Sequence, residues 1–275
     1  MKRSPHFKQK NHTVILFCVS LVTLLHFCFA GNSFIVPSKS YNTISRAIAK
    51  AKSGDTVWVK PGEYREHVKL SSGVALISQT LFKAIIDGAG GESAVTMGNR
   101  STISGFEIKN GRIGIYSEGK DNIIRRCFIH DNQQSGIICV GHLPKIQDNI
   151  IVENGGSGIQ GWDVRSTIST ISHNTIAYNA NHGLAIGGNS EIIVENNIIS
   201  HNEKLGYKVE PGVKIKLIRN NIYLNAELVT ALPANNFSFD PMFISAASMN
   251  FMLAKQSKCR NMASDNDNIG ARLVY

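Results

Sequence analysis

Asn174-Thr175-Ile176-Ala177-Tyr178-Asn179-Ala180-Asn181-His182-Gly183-Leu184-Ala185-Ile186 is followed, 23 residues on, by Asn197-Ile198-Ile199-Ser200-His201-Asn202-Glu203-Lys204-Leu205-Gly206-Tyr207-Lys208-Val209. Each segment has an inner asparagine, an apolar or small triplet, an outer asparagine five residues on and a glycine four further. Working outward, the outer position reads Asn110, Asn132, Asn154, Asn179, Asn202 and Asn225, at intervals of 22, 22, 25, 23 and 23 residues. The inner position reads Gly105, Cys127, Asn149, Asn174, Asn197 and Asn220, and the glycine position Gly114, Gly136, Gly158, Gly183 and Gly206. Three columns moving in step describe one supersecondary unit stacked many times, which is a solenoid.

The residues within each unit say what kind. After the glycine, the first position is large (Ile115, Ile137, Ile159, Leu184, Tyr207) and the third small or apolar (Ser117, Cys139, Gly161, Ile186, Val209). The positions between vary freely, so one face of a strand is buried and the other open. A second strand precedes each outer asparagine and a third precedes the inner column, as in Glu191 to Val194 and Lys214 to Leu217. Three short strands per 22–25 residues predict one coil of an all-β parallel β-helix, with regular coils over about 100–228 and a closing segment over about 230–275. The asparagines are expected at left-handed corners, hydrogen-bonding along their columns. Ile44, Ala47, Ile48 and Ala51 share one helical face, predicting an N-terminal capping helix over the open end of the coil.

The chain has 275 residues and a net charge of +9. Lys2, Arg3, Lys8 and Lys10 precede an apolar run from Val14 to Phe29, and Cys28-Phe29-Ala30 offers small residues before Gly31. Residues 1–30 therefore read as a cleaved signal peptide, leaving one domain over 31–275 that is secreted or periplasmic, without stable membrane insertion and monomeric. The leader carries four basic residues and no acid, so the mature charge falls to about +5. That sign suits an anionic polymer, and there is no nucleic-acid motif. Cys127, Cys139 and Cys259 remain, an odd number without a CxxC spacing, and Cys127 and Cys139 read as small buried residues.

Tyr41-x2-Ile44-x2-Ala47-Ile48-x2-Ala51-x2-Gly54-Asp55-Thr56-Val57-Trp58-Val59-x-Pro61-Gly62-x-Tyr64 resembles the opening signature of the pectate-lyase-like right-handed β-helix superfamily. The repeats from Gly105 to Asn225 are similar to its generic parallel β-helix repeats. Asp240-Pro241-Met242-Phe243, Phe251-Met252-Leu253 and Ile269-Gly270-Ala271 resemble the closing segment of exported bacterial β-helix proteins. The resemblance spans about Tyr41 to Ala271. It implies a substrate lying across several coils on one sheet, and it embraces lyases, hydrolases, epimerases and proteins of no known activity.

The strand after the glycine column is the expected substrate face. Its outward columns read Tyr116, Ile138, Gln160, Ala185, Lys208 and Glu118, Val140, Trp162, Gly187, Glu210. Glu118 and Glu210 stand four coils apart, roughly 19 Å, too far for a glycosidase pair. The superfamily's epimerase motif, an Asp and a His on that strand, is absent. One coil is longer than the rest, with 16 residues from Gly158 to Asn174, and the extra ones fall near Trp162-Asp163-Val164-Arg165-Ser166-Thr167. Insertions in solenoids mark binding faces. The expected site follows: Arg165, Lys120 or His142 as the base, Trp162, Tyr116, Gln160 and Lys208 binding substrate, and Asp163 and Glu118 holding Ca2+ if a metal is used. The expected function is action on a uronate-containing acidic polysaccharide by lyase or epimerase proton abstraction. The alternative is a non-catalytic β-helix that binds glycan or envelope polymer through the same face.

Overall fold

The computed structural model describes residues 31–165, 168–227 and 232–272; the signal-peptide reading of residues 1–30 lies outside them. Each coil gives one short strand to each of three parallel sheets. The first sheet has nine strands, from Ser33–Val36 and Thr56–Val59 to Val213–Ile218. The second has eight, from Gly62–Arg65 to Asn221–Tyr223, and the third seven, from Val68–Leu70 to Tyr207–Val209. About eight turns of parallel crossover winding result, of the right-handed kind that twisted strands favour. Coiling begins at Thr56, well before the repeat columns become readable, because the early coils carry Ala84 and Phe106 where later ones use the inner asparagine.

The register puts the columns where the alternation places them. Tyr116, Ile138, Gln160, Ala185 and Lys208 are successive partners, as are Ile115, Ile137, Ile159, Leu184 and Tyr207. Inward residues from the three sheets fill the lumen: Ile103, Ile124, Ile146 and Ile171 from the first, Ile108, Ile129, Ile151 and Ile176 from the second, Ile115, Ile137 and Ile159 from the third. All are fully buried. Each such isoleucine contributes about 1.5–3 kcal/mol of transfer free energy, so the lumen is the main source of stability. Cys127 and Cys139 are buried and unpaired, as expected, and so is Cys259.

Two asparagine ladders run along the coil. In the outer one, Asn132 Nδ2 donates to Asn154 Oδ1, Asn154 to Asn179, Asn179 to Asn202 and Asn202 to Asn225, at 2.8–3.0 Å. In the inner one, Asn149, Asn174, Asn197 and Asn220 follow the same rule, and Asn220 donates to Asn236 at 3.0 Å. Two expectations need correcting. Asn110 and Gly105 are not rungs: Gly111 N donates to Asn132 Oδ1, and Phe106 aligns with Cys127. Nor do the rungs take left-handed angles. The residue before each rung does, with φ of 46–57° at Asn110, Asp131, Glu153, Tyr178, His201 and Leu224, and again at Arg126, Asp148, His173, Asn196 and Arg219. The turn and the ladder are neighbouring jobs on successive residues, and the left-handed one points its side chain outward.

A five-residue helix, Ile44–Ile48, lies against the first coils with Ile44, Ala47 and Ile48 buried. Thr43 Oγ1 accepts from Arg46 N, and the carboxylate of Glu66 accepts from Ile44 N and Ser45 N, both at 2.9 Å. Those bonds satisfy helix-start amides that have no partner within the helix.

The closing segment covers the outer face of the second sheet. Phe237 pairs with Asn221, then Phe243–Ser245 and Asn250–Leu253 form an antiparallel hairpin. Phe251 packs on Ile150, Val152 and Ala177, while Cys259, Ala263 and Ile269 pack on Ile198. Three consecutive corner residues then clasp it. Arg272 binds both oxygens of Asp148 at 2.7 and 3.1 Å, Asp265 lies 3.3 Å from His173 Nε2, and Ser264 exchanges two hydrogen bonds with Asn196.

Candidate functional site

The long coil differs from its neighbours through a β-bulge. Gly161 pairs with Ile186 and Val164 with Gly188, so Trp162 and Asp163 together face Gly187. Asp163 takes φ 55°, and the bulge turns both Trp162 and Asp163 outward while Val164 returns to the lumen. Trp162 is 48% exposed. Gly188 makes this possible, because at φ 122° a Cβ there would stand 2.4 Å from Val164 N.

Beside the bulge the outer face opens into a slot of about 310 Å3. Its floor is Ala185 and Gly187, one wall is Gln160 and Trp162, and the other is Lys208 and Glu210. The walls stand two coils apart, roughly 10 Å. A short side chain and no side chain in the middle coil leave that gap, and the Glu210 carboxylate is held by Gly188 N at 3.0 Å. His182 and Lys204 enter from the adjoining turn. Burial first, and then Lys208 and Lys204, hold His182 below its ordinary value of 6.5. Its Nδ1 accepts from Leu205 N at 3.2 Å, which leaves the proton of the neutral ring on Nε2. The slot thus offers an aromatic face, two ammonium groups, an imidazole and one carboxylate: a set suited to a sugar ring bearing negative charge.

Of the residues expected at the site, Trp162, Gln160 and Lys208 share this slot. Lys120, His142 and Arg165 line a separate cleft of about 550 Å3 with Asp121, Lys145 and Thr170, on the first-sheet side of the bulge. Arg165 pairs with Asp163 at 3.3 Å, both side chains 72% exposed. Tyr116 and Glu118 lie upstream and pair with each other, the Tyr116 hydroxyl donating to Glu118. That hydrogen bond, with some burial, pushes the Tyr116 phenol up to about 12. Glu118 and Asp163 are two coils apart and face different partners. Among the described residues no three of His, Cys, Asp and Glu gather as a metal site.

His182 and Lys204 were not among the expected site residues. His182 reads as a corner residue in the repeat, and nothing periodic marks Lys204. A signal for the slot did exist: Gly187-Gly188 stands where other coils carry side chains on the outward face.

No curated protein matches the sequence. Solved structures resemble it in fold. Pectate lyase Pel9A matches at 11% identity, covering 90% of this chain and 100% of that one, with a TM-score of 0.45. Pectin methylesterase PemA from Erwinia chrysanthemi matches at 12% identity over 78% of this chain and 94% of that one, TM-score 0.45. The A-module of the mannuronan C-5 epimerase AlgE4 of Azotobacter vinelandii matches at 19% identity over 72% and 76%, TM-score 0.41. These likenesses concern architecture alone. The family model described as right handed beta helix region matches residues 25–169 and 68–222, in two overlapping registers as a repeat allows. Its two matches span most of the chain and agree with the three stacked sheets: this chain belongs to the right-handed β-helix family.

Proposed function

We propose that the protein is exported and binds a uronate-containing acidic polysaccharide along the outer face of the third sheet, as a monomer. The observation that carries this reading is the slot between Trp162 and Lys208, floored by Ala185 and Gly187. A pyranose stacks on the indole, and its carboxylate lies between Lys204, Lys208 and the His182 Nε2–H. Tyr116 and Gln160, in the same outward column, extend the track along the coil axis.

A second reading, lyase or epimerase chemistry, is supported by the cleft that brings Lys120, His142 and Arg165 together. There a base would take the proton beside the uronate carboxylate and arginine would stabilise the enolate. In the lyase case the glycosidic C–O bond then breaks to give an unsaturated product.

One experiment addresses both. Oligogalacturonate and alginate oligomers are titrated calorimetrically into the mature protein, and the same mixtures are scanned for the ultraviolet absorbance of unsaturated product. Binding that weakens about tenfold in Trp162→Ala and Lys208→Ala, and falls with added salt, is the expected result. Unchanged affinity in both variants would sink the slot. Unsaturated product lost in Arg165→Ala would establish the lyase.

A further inference from the structure

A third cavity, of about 480 Å3, lies between the corner joining the second and third sheets and the closing hairpin. It is lined by Tyr178, His201, Asp240, Met242, Phe243, Ile244 and a few small residues, with Gln256 at its edge. Its size falls within the range of small-molecule sites. One wall is aromatic, a two-ring stack of Tyr178 and His201 at successive left-handed corner positions. Their rings stack with centroids 4.7 Å apart and planes within 10°. The other wall is apolar and open to solvent, with Ile244 55% exposed.

The polar groups around this cavity are unspent. The Tyr178 hydroxyl and the Gln256 amide make no hydrogen bond to any described residue, and His201 Nδ1 is buried without a partner. Asp240 accepts one bond, from Met242 N at 2.8 Å, and is in no ion pair among the described residues. Burial holds His201 below 6.5, with Asp240 opposing, so the imidazole is neutral at pH 7. Among the described residues Asp240 is therefore the one charge lining the cavity, and no lysine or arginine lines it. Its character is opposite to that of the third-sheet slot, where two lysines meet the ligand.

We propose that this cavity binds an amine-bearing sugar, its ring packed against the edge of the Tyr178–His201 stack and its ammonium paired with Asp240. Two parallel rings in contact cover each other's faces, so this wall offers ring edges, whose partial positive charge suits the hydroxyl oxygens of a pyranose. The free Tyr178 hydroxyl and Gln256 amide can serve the ring hydroxyls, which a bare alkylamine lacks. A uronate is disfavoured here by Asp240.

The test is calorimetric titration of the mature protein with a glucosamine tetramer, its N-acetylated counterpart, a linear diamine and a galacturonate tetramer. Asp240→Asn keeps the acceptor for Met242 N and removes only the charge. The proposal expects the glucosamine tetramer to bind, with affinity about fivefold lower in Asp240→Asn and about tenfold lower in Tyr178→Ala. Trp162→Ala should leave this binding unchanged, and Asp240→Asn should leave galacturonate binding unchanged, so this site and the slot stand or fall separately. If Tyr178→Ala fails to fold, Asp240→Asn decides. Absence of glucosamine binding, or unaltered affinity in Asp240→Asn, overturns the proposal. Equal affinity for the N-acetylated tetramer removes the charge recognition, and equal affinity for the diamine removes the ring recognition; either result overturns it too.

Discussion

Replacing Asn174 with alanine removes a middle rung of the inner ladder, and the structure states what is lost. The side chain is fully buried. Its Oδ1 accepts from Asn149 N and Nδ2 at 3.0 and 2.9 Å, and its Nδ2 donates to Asn197 Oδ1, Ser172 O and Ile146 O at 2.9–3.0 Å. After truncation Asn149 Nδ2 keeps Ile124 O and Asn197 Oδ1 keeps Asn174 N, but Asn149 N–H has no acceptor. An orphaned buried donor costs about 1–3 kcal/mol, and the remaining lost bonds add about 1 kcal/mol, so about 3 kcal/mol is expected. Asn236→Ala removes the same kind of rung at the partly exposed end of the ladder, where water substitutes, and is expected to cost about 1 kcal/mol. Asn174→Asp places a carboxylate against Asn197 Oδ1 and two carbonyl oxygens, and at pH 7 should be worse than alanine. Urea denaturation followed by circular dichroism measures all three. A loss at Asn174→Ala below about 1 kcal/mol, or equal losses at Asn174 and Asn236, would refute the reasoning that the ladder holds the coils through satisfied buried amides.

Other consequences are as direct. Gly188→Ala forces a Cβ to within 2.4 Å of Val164 N at φ 122°; a loss of more than about 2 kcal/mol is expected, together with loss of polyuronate binding as the bulge rearranges. His173, His182 and His201 are all held below 6.5, burial being the first cause for each. The unfolded chain then binds more protons, so their contribution is full above pH 6.5 and is lost as pH falls through it. Urea midpoints should drop between pH 7.5 and 5, and a flat profile would contradict the burial of these rings. Burial pushes the Cys127 thiol up to about 12 and Cys259 to about 11, and raises Cys139 as well. All three should resist alkylation at pH 8 in native protein and react promptly in denaturant.

The fold was legible because its repeat is written in residues that are hard to replace. A rung needs a side chain that both donates and accepts, and a lumen position needs an isoleucine-sized group, so these recur and align. The early coils escaped because Ala84 and Phe106 stand at the inner rung position without the marker residue. The left-handed corner column escaped for the opposite reason: Asp131, Glu153, Tyr178, His201 and Leu224 share a backbone angle and no chemistry. The tail rung at Asn236 falls 16 residues after Asn220, outside the period. At the site, Trp162, Gln160 and Lys208 followed from strand alternation. The bulge separated Trp162 from Arg165, which a count of inserted residues does not reveal. The pairing of Tyr116 with Glu118 likewise depends on how two outward neighbours meet.

The clasp of the closing segment acts as a gauge. Asp148, His173 and Asn196 stand on three successive coils, and Arg272, Asp265 and Ser264 reach them in reverse order, so the tail spans a fixed stretch of stack. A coil duplicated before Asp148 would leave that span untouched. One inserted between Asp148 and Asn196 would pull the two ends of the clasp about 4.8 Å further apart and break it. The molecule can therefore lengthen or shorten toward its amino terminus while its last coils stay counted.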